Sequence, residues 1–211
     1  MIDFLKELFN QYSQYDKLDI YFEVIAVIFG FLSVWYSKNN NILVFPTGMI
    51  STSIFVYLLF KWSLLGDMMI NAYYFIMSIY GWFYWSRGNN EKPAPISVIN
   101  TYDKKIIAIL LLSSSIFVSL VYTLFEKWDS FVSYVDIFTT AIFFAAMWLM
   151  AKRKIESWIF WIIGDLITVP LYFYKGLTIS SIQYIIFLIL AVLGYISWKK
   201  ILDKNYQKLK K

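Results

Sequence analysis

The sequence predicts an all-α integral membrane protein, with seven transmembrane helices arranged as two parallel three-helix repeats joined by one connecting helix. Three observations carry that expectation. The 211 residues are 60% apolar and only 16% charged, with a mean hydropathy of +0.59, which is a membrane composition. The apolar residues fall into runs separated by short polar clusters, each long enough to cross a hydrocarbon core of roughly 30 Å at about 1.5 Å per residue. The chain also matches itself when shifted by 113 residues.

Taken in order, residues 1–19 begin MIDFLKELFN and carry charges throughout. They lack the basic start, apolar core and small-residue cleavage site of a signal peptide. Phe4, Leu5, Leu8, Phe9 and Tyr12 recur at helical spacing, so a short amphipathic helix lying on the membrane surface is expected. Runs at 20–37, 42–61 and 66–86 make the first repeat, residues 20–86. A loop and the connecting helix occupy 87–131, the apolar part being 105–125. Runs at 132–151, 156–174 and 178–199 make the second repeat, residues 132–199, and residues 200–211 form a basic cytoplasmic tail. The first and fifth runs have an acid near the start, Glu23 and Asp136.

The repeat rests on more than shared apolar letters. At a spacing of 113, Phe31 falls on Phe144, Trp35 on Trp148, Gly81 on Gly194 and Trp85 on Trp198, while Glu23 falls on Asp136. Apolar coincidences are cheap in such a composition, whereas a Trp, Gly, Trp pattern recurring without a gap is not. Four runs precede the second triplet, an even number, so both triplets cross in the same direction. Parallel repeats of this kind are one of the arrangements of secondary transporters, with solute sites near the repeat interface.

Seven spans divide the basic residues unevenly. The side holding the N-terminus has Lys6, Lys17, Lys61, Lys127 and Lys175, and the other side has the remaining fourteen of the nineteen Lys and Arg. Since cytoplasmic loops are enriched in Lys and Arg, the N-terminus is expected outside and the C-terminus in the cytoplasm. The net charge of +5 then reflects attraction to anionic lipid and needs no nucleic-acid partner. The chain has no Cys and no His. Disulfides, thiolate metal sites and the usual nucleophile–base pairs are therefore absent, and a lone acid within the membrane is a poor general base, so the sequence argues against an enzyme. No GK pair occurs, which excludes a phosphate-binding loop of the nucleoside triphosphatase kind. No cofactor is expected.

The informative residues are the polar ones that the spans had no need of. The second run carries Thr47, Ser51, Thr52 and Ser53, and such hydroxyls serve their own helix backbone or let helices approach closely. In the third run Asn71, Tyr74 and Ser78 share a face, being spaced i, i+3 and i+7. The sixth run reads ESWIFWIIGDLITVPLYFY, and there Trp158, Trp161, Asp165, Thr168 and Tyr172 fall on one face at spacings of three and four. An acid near the bilayer centre costs roughly 2.5 to 3.5 kcal/mol on insertion scales, so Asp165 is expected to face a cavity, a partner or a solute. Gln183 of the seventh run lies one turn inside its boundary. Aromatic walls with a few fixed polar groups suit a flat heteroaromatic ligand, and a cationic ring gains further from ring faces and a carboxylate. Pro170 is expected to kink the sixth helix and free a carbonyl toward the same space. Trp85 and Trp198, at the basic ends of their runs, are read as interfacial anchors.

Two long stretches, ILVFPTGMISTSIFVYLLFKWSLLGDMMINAYYFIMSIYGWFYW and ESWIFWIIGDLITVPLYFYKGLTISSIQYIIFLILAVLGYISW, resemble the PnuC family of bacterial vitamin transporters. The resemblance covers about residues 20–200. It implies a three-one-three helix arrangement related to the SWEET sugar-transporter fold, a homotrimer in the bacterial inner membrane, and facilitated diffusion of nicotinamide riboside, which is trapped by intracellular phosphorylation. It further implies substrate contacts at Asn71, Tyr74 and Trp82 of the third span, Trp161, Asp165 and Tyr172 of the sixth, and Gln183 of the seventh. Relatives in the family are associated with thiamine or riboflavin, and no motif in the sequence separates these vitamins.

Overall fold

The computed structural model describes residues 16–62, 65–87, 94–126, 128, 130–174 and 178–209. The expected surface helix through Phe4 to Tyr12 lies outside the described residues. Seven helices follow: α1 Lys17–Lys38, α2 Val44–Lys61, α3 Leu65–Ser86, α4 Thr101–Leu124, α5 Ser130–Ala151, α6 Glu156–Tyr174 and α7 Thr178–Leu209. Six of them, all but α3, are long and apolar enough to cross a membrane. The remaining helix has the length, 22 residues, and owes its lower hydropathy to Asp67, Asn71 and a set of tyrosines. The molecule is an all-α membrane protein of two three-helix repeats joined by α4, as the sequence predicts.

The repeat is visible end to end. Shifting Lys17–Lys38 by 113 residues lands on Ser130–Ala151, and shifting α2 and α3 lands on α6 and the start of α7. Within each repeat the first helix packs on the second and the second on the third; across the repeats α1 packs on α7 and α3 on α5, while α4 lies against α5. The two cross-repeat contacts are the same contact seen from either half. The turns repeat as well. Asn41 N–H donates to the Tyr36 carbonyl at 2.9 Å and Lys154 N–H to the Leu149 carbonyl at 2.9 Å, which closes both helix ends with the same six-residue loop. The residue this loop requires in left-handed conformation is Asn40 in one repeat (φ 54) and Arg153 in the other (φ 59). Asn adopts that region readily, whereas Arg needs outside help.

The help comes from contacts that cross the repeats. Arg153 Nε and Nη2 donate to the Asn40 side-chain oxygen at 3.1 and 2.6 Å, and Nη1 donates to the Ala94 carbonyl. Residues 94–100 run as a strap over this end. Ser97 N–H donates to the Arg153 carbonyl and Ile155 N–H to the Ser97 carbonyl, at 3.1 and 3.0 Å. The strap leads into α4 through a capping box in which Asn100 and Asp103 each accept the other's backbone N–H, satisfying donors that a helix start leaves orphaned.

The densest packing lies at this same basic end, in a cluster of Phe45, Trp85, Met150, Ile155, Trp158 and Trp198. The reading of Trp85 and Trp198 as interfacial anchors is therefore corrected. Both are buried, at 1% and 0% exposure, and each donates its indole N–H into the opposite repeat, Trp85 to the Met150 carbonyl at 3.3 Å and Trp198 to the Ser37 carbonyl at 2.9 Å. Glycines make room for the two other large rings of the layer, Phe45 and Trp158. A Cβ on Gly81 would overlap the Phe45 ring, and one on Gly194 would overlap the Trp158 indole. These two pairs are also related by the 113-residue shift. Either Gly81→Ala or Gly194→Ala is expected to cost about 1–3 kcal/mol through overpacking, read as a lower melting temperature of the protein in detergent. A melting temperature equal to the parent's in both variants would show that the rings yield without cost.

Candidate functional site

The face of α6 that spacing alone picks out does point inward, and it divides between two tasks. Trp158 belongs to the packed basic end. Asp165 and Thr168 lie deeper, each 2% exposed. Among the described residues no hydrogen bond or ion pair reaches the Asp165 carboxylate, and the Thr168 hydroxyl oxygen is buried without a partner. Unpaired polar groups at the centre of a helical bundle are expensive, which makes this pair the candidate contact for a solute.

Rings from both repeats surround it. Tyr74 and Tyr184 lie within electrostatic reach of Asp165. Trp161, one turn before the acid, has Phe143 stacked on it at 5.4 Å between centroids and Tyr74 edge-on at 6.4 Å. Phe143 also stacks with Tyr184 at 6.1 Å. Tyr184 in turn meets Tyr172 edge-on at 5.1 Å. On the far side Tyr73 stacks face to face with Phe144 at 4.1 Å and donates its hydroxyl to the Phe144 carbonyl. The helix runs unbroken through Pro170, and the Ser181 hydroxyl donates to the neighbouring Val169 carbonyl at 2.7 Å.

Of the residues expected at the site, Tyr74, Trp161, Asp165 and Tyr172 come together in this cluster. Gln183 is partly buried on α7, next to Tyr184. Asn71 is also partly buried, with its amide donating to the carbonyl of Asp67 in its own helix at 3.0 Å. Trp82 stands apart, 44% exposed on the outward side of α3. Sequence reasoning missed Phe143 and Tyr184. The available signal for Phe143 was Gly164, one residue before the acid, where a Cβ would overlap the Phe143 ring.

The site is not symmetric, although its frame is. Under the 113-residue shift Asp165 corresponds to Thr52, Trp161 to Gly48, Phe143 to Gly30 and Tyr184 to Asn71. At these four positions the second repeat therefore supplies the acid and three rings, where the first supplies a threonine, two glycines and an asparagine. The hydroxyls of α2 serve packing, as their type predicts. Thr52 donates to the Gly48 carbonyl of its own helix, and Ser51 reaches the Ala26 carbonyl of α1 at 2.7 Å. A close approach of α1 and α2 follows, with Gly48 set against the hydroxyls of Ser33 and Ser78.

Comparison with known proteins agrees with this architecture. Residues 20–200 match the nicotinamide mononucleotide transporter family. The chain is 22% identical over 209 residues to the nicotinamide riboside transporter PnuC of Escherichia coli (strain K12), covering 83% of this chain and 84% of that protein. It is 23% identical over 201 residues to the nicotinamide riboside transporter PnuC of Neisseria mucosa, covering 89% and 75%. It is also 23% identical over 188 residues to the riboflavin/roseoflavin transporter RibM of Streptomyces davaonensis, covering 87% of each. Among solved structures, the crystal structure of the vitamin B3 transporter PnuC superposes with a TM-score of 0.65 at 22% identity, over 89% of this chain and 84% of that one.

Proposed function

Because the chain belongs to the nicotinamide mononucleotide transporter family, we propose that it takes up nicotinamide riboside by facilitated diffusion, the solute being trapped inside by phosphorylation. It is a vitamin transporter of the PnuC kind and not an enzyme. The observation that supports the riboside is Asp165, an acid buried without a hydrogen-bond or ion-pair partner among the described residues, one helical turn from Trp161, on which Phe143 and Tyr74 pack. A positively charged pyridinium ring gains from both the ring faces and the carboxylate. Asn71, Tyr172 and Gln183 complete the proposed set of contacts, the amides reading hydroxyl and carboxamide groups, whereas Trp82, exposed on the outward side of α3, falls outside it.

Riboflavin is the second reading, favoured by the likeness to RibM at 23% identity. Its ring system is uncharged, so it leaves Asp165 without the charge partner that the riboside provides. The N-terminus is placed outside and the basic end in the cytoplasm of a bacterial plasma membrane, and a homotrimer is proposed from family likeness. Ile109, Leu112, Ile116 and Leu120 give α4 one exposed apolar face, which lipid or a neighbouring protomer covers.

Two measurements test the reading. Purified protein screened against nicotinamide riboside, thiamine and riboflavin is expected to melt higher with the riboside, since a ligand of the folded form stabilises it by RT ln(1 + [L]/Kd). Proteoliposomes are expected to take up labelled riboside to equilibrium and no further unless a kinase is enclosed. Stabilisation by riboflavin alone would move the assignment to the second reading. Uptake above equilibrium driven by a sodium or proton gradient would reject the passive mechanism.

A further inference from the structure

A transporter with a central site needs an end that closes and opens, and the basic end of this molecule is closed by contacts of an unusual kind. The largest side chains buried to below 2% exposure are Trp85, Trp158, Trp198 and Phe45, all in that layer. The indoles of Trp85 and Trp198 lie 5.7 Å apart, each crossing to bond the other repeat. Each accepting carbonyl also holds a backbone N–H of its own turn, Met150 that of Arg153 and Ser37 that of Asn40, both at 2.9 Å. Loss of the indole bond therefore leaves no orphaned carbonyl at the helix end, and a hydrogen bond of this type contributes only about 1 kcal/mol net. Above the crossing, the Arg153 guanidinium holds Asn40 of the first repeat and lies 4.4 Å from the Trp85 ring. The three contacts join the same two bodies, and the helix ends keep their own backbone hydrogen bonds without the two indole bonds.

We propose that Trp85, Trp198 and Arg153 form the gate of the basic end: the two crossed indole bonds and the Arg153–Asn40 contact part together to let solute out and re-form behind it. The proposal rests on the transport reading, but its chief test uses no solute. The chain contains no cysteine, so Ser78→Cys gives a single thiol. Ser78 is buried on α3, seven residues before Trp85 and hence roughly 10 Å deeper along the helix. An impermeant maleimide added to vesicles from the basic side is expected to label this thiol slowly. Labelling from that side is expected to rise at least fivefold with Trp85→Phe plus Trp198→Phe, which keep a six-membered aromatic ring and remove the pyrrole half of each indole with its N–H. It is expected to rise likewise with Arg153→Asn, because Asn holds the same left-handed conformation in the twin turn at Asn40.

A variant of opposite sign separates gating from damage. Asn40→Asp turns the Arg153 contact into an ion pair, and is expected to slow counterflow of labelled nicotinamide riboside severalfold while the melting temperature stays the same or rises. Labelling at the parent rate in both opening variants would overturn the gate, whether or not Asn40→Asp slows counterflow. If an opening variant fails to fold, the other opening variant and Asn40→Asp decide: a parent labelling rate in the one or parent counterflow in the other overturns the gate. Absence of riboside transport by the unaltered protein refutes the substrate and leaves the labelling result standing.

Discussion

Asp165→Asn is expected to weaken nicotinamide riboside binding by roughly 10- to 100-fold, the loss of a charge-assisted contact worth about 1.5–3 kcal/mol. The empty protein is expected to melt at the same temperature or higher, because the acid is 2% exposed and has no hydrogen-bond or ion-pair partner among the described residues, so an amide of the same shape relieves a cost that only the solute offsets. This opposition of sign is the useful feature of the experiment: damage to packing lowers binding and melting together. Trp161→Ala is expected to weaken binding by a similar factor, since a desolvated cation over an indole face is worth about 2 kcal/mol. Here the melting temperature falls too, as the Phe143 ring stacked on Trp161 at 5.4 Å loses its support. Trp161→Phe keeps a ring face and is expected to recover most of the binding. Titration of the riboside against the three proteins reads these outcomes, and affinities equal to the parent's in both Asp165→Asn and Trp161→Ala would remove the site from this place.

The helices were legible because hydrocarbon thickness sets their length. The run at 156–174 and α6 coincide, and the run at 66–86 differs from α3 by one residue at its start. The seventh helix overshoots its apolar run at 178–199 and continues to Leu209, since a charged segment outside the membrane can stay helical where hydropathy no longer reports it. The 113-residue spacing was legible for the same reason that it matters physically: Gly81 and Gly194 each admit a ring of the preceding helix, and that demand is written into both halves. What the sequence hid were contacts between distant residues. A Trp beside Lys199 looks like an interfacial anchor, and only the position of Ser37, far away in the chain, shows Trp198 to be a cross-repeat donor. Phe143 and Tyr184 hid in a chain that is 21% aromatic, where another ring carries no signal until helix register places it beside Asp165. Spacing on one helix located the acid, but its neighbours belong to α3, α5 and α7.

Asp103→Ala is expected to destabilise the protein by about 3–5 kcal/mol, the usual cost of orphaning one member of a buried ion pair. Asp103 meets the Lys154 ammonium at 2.8 Å with both side chains nearly inaccessible, 5% and 10% exposed. After the substitution Lys154 keeps, among the described residues, its bond to the Val98 carbonyl at 3.0 Å, and the start of α4 loses the half of its cap in which Asp103 accepts the Asn100 N–H. For a chain of this size the cost corresponds to a melting temperature lower by about 6–20 °C. Adding Lys154→Met removes the stranded charge, so the double variant is expected to melt well above Asp103→Ala alone, a non-additivity characteristic of residues in contact. Strictly additive losses would show that the two charges are solvated separately and that the pair does not hold the strap. The position of the pair gives the result its wider meaning. Asp103 and Lys154 tie the first turn of the connecting helix to the α5–α6 turn, and the residue next to Lys154 is Arg153, which spans the two repeats. A loosened strap frees the Ala94 carbonyl that Arg153 also holds, so Asp103→Ala is expected to raise labelling of the Ser78→Cys thiol from the basic side as well. Stability of the connector and closure of the chamber are then two readings of one set of bonds.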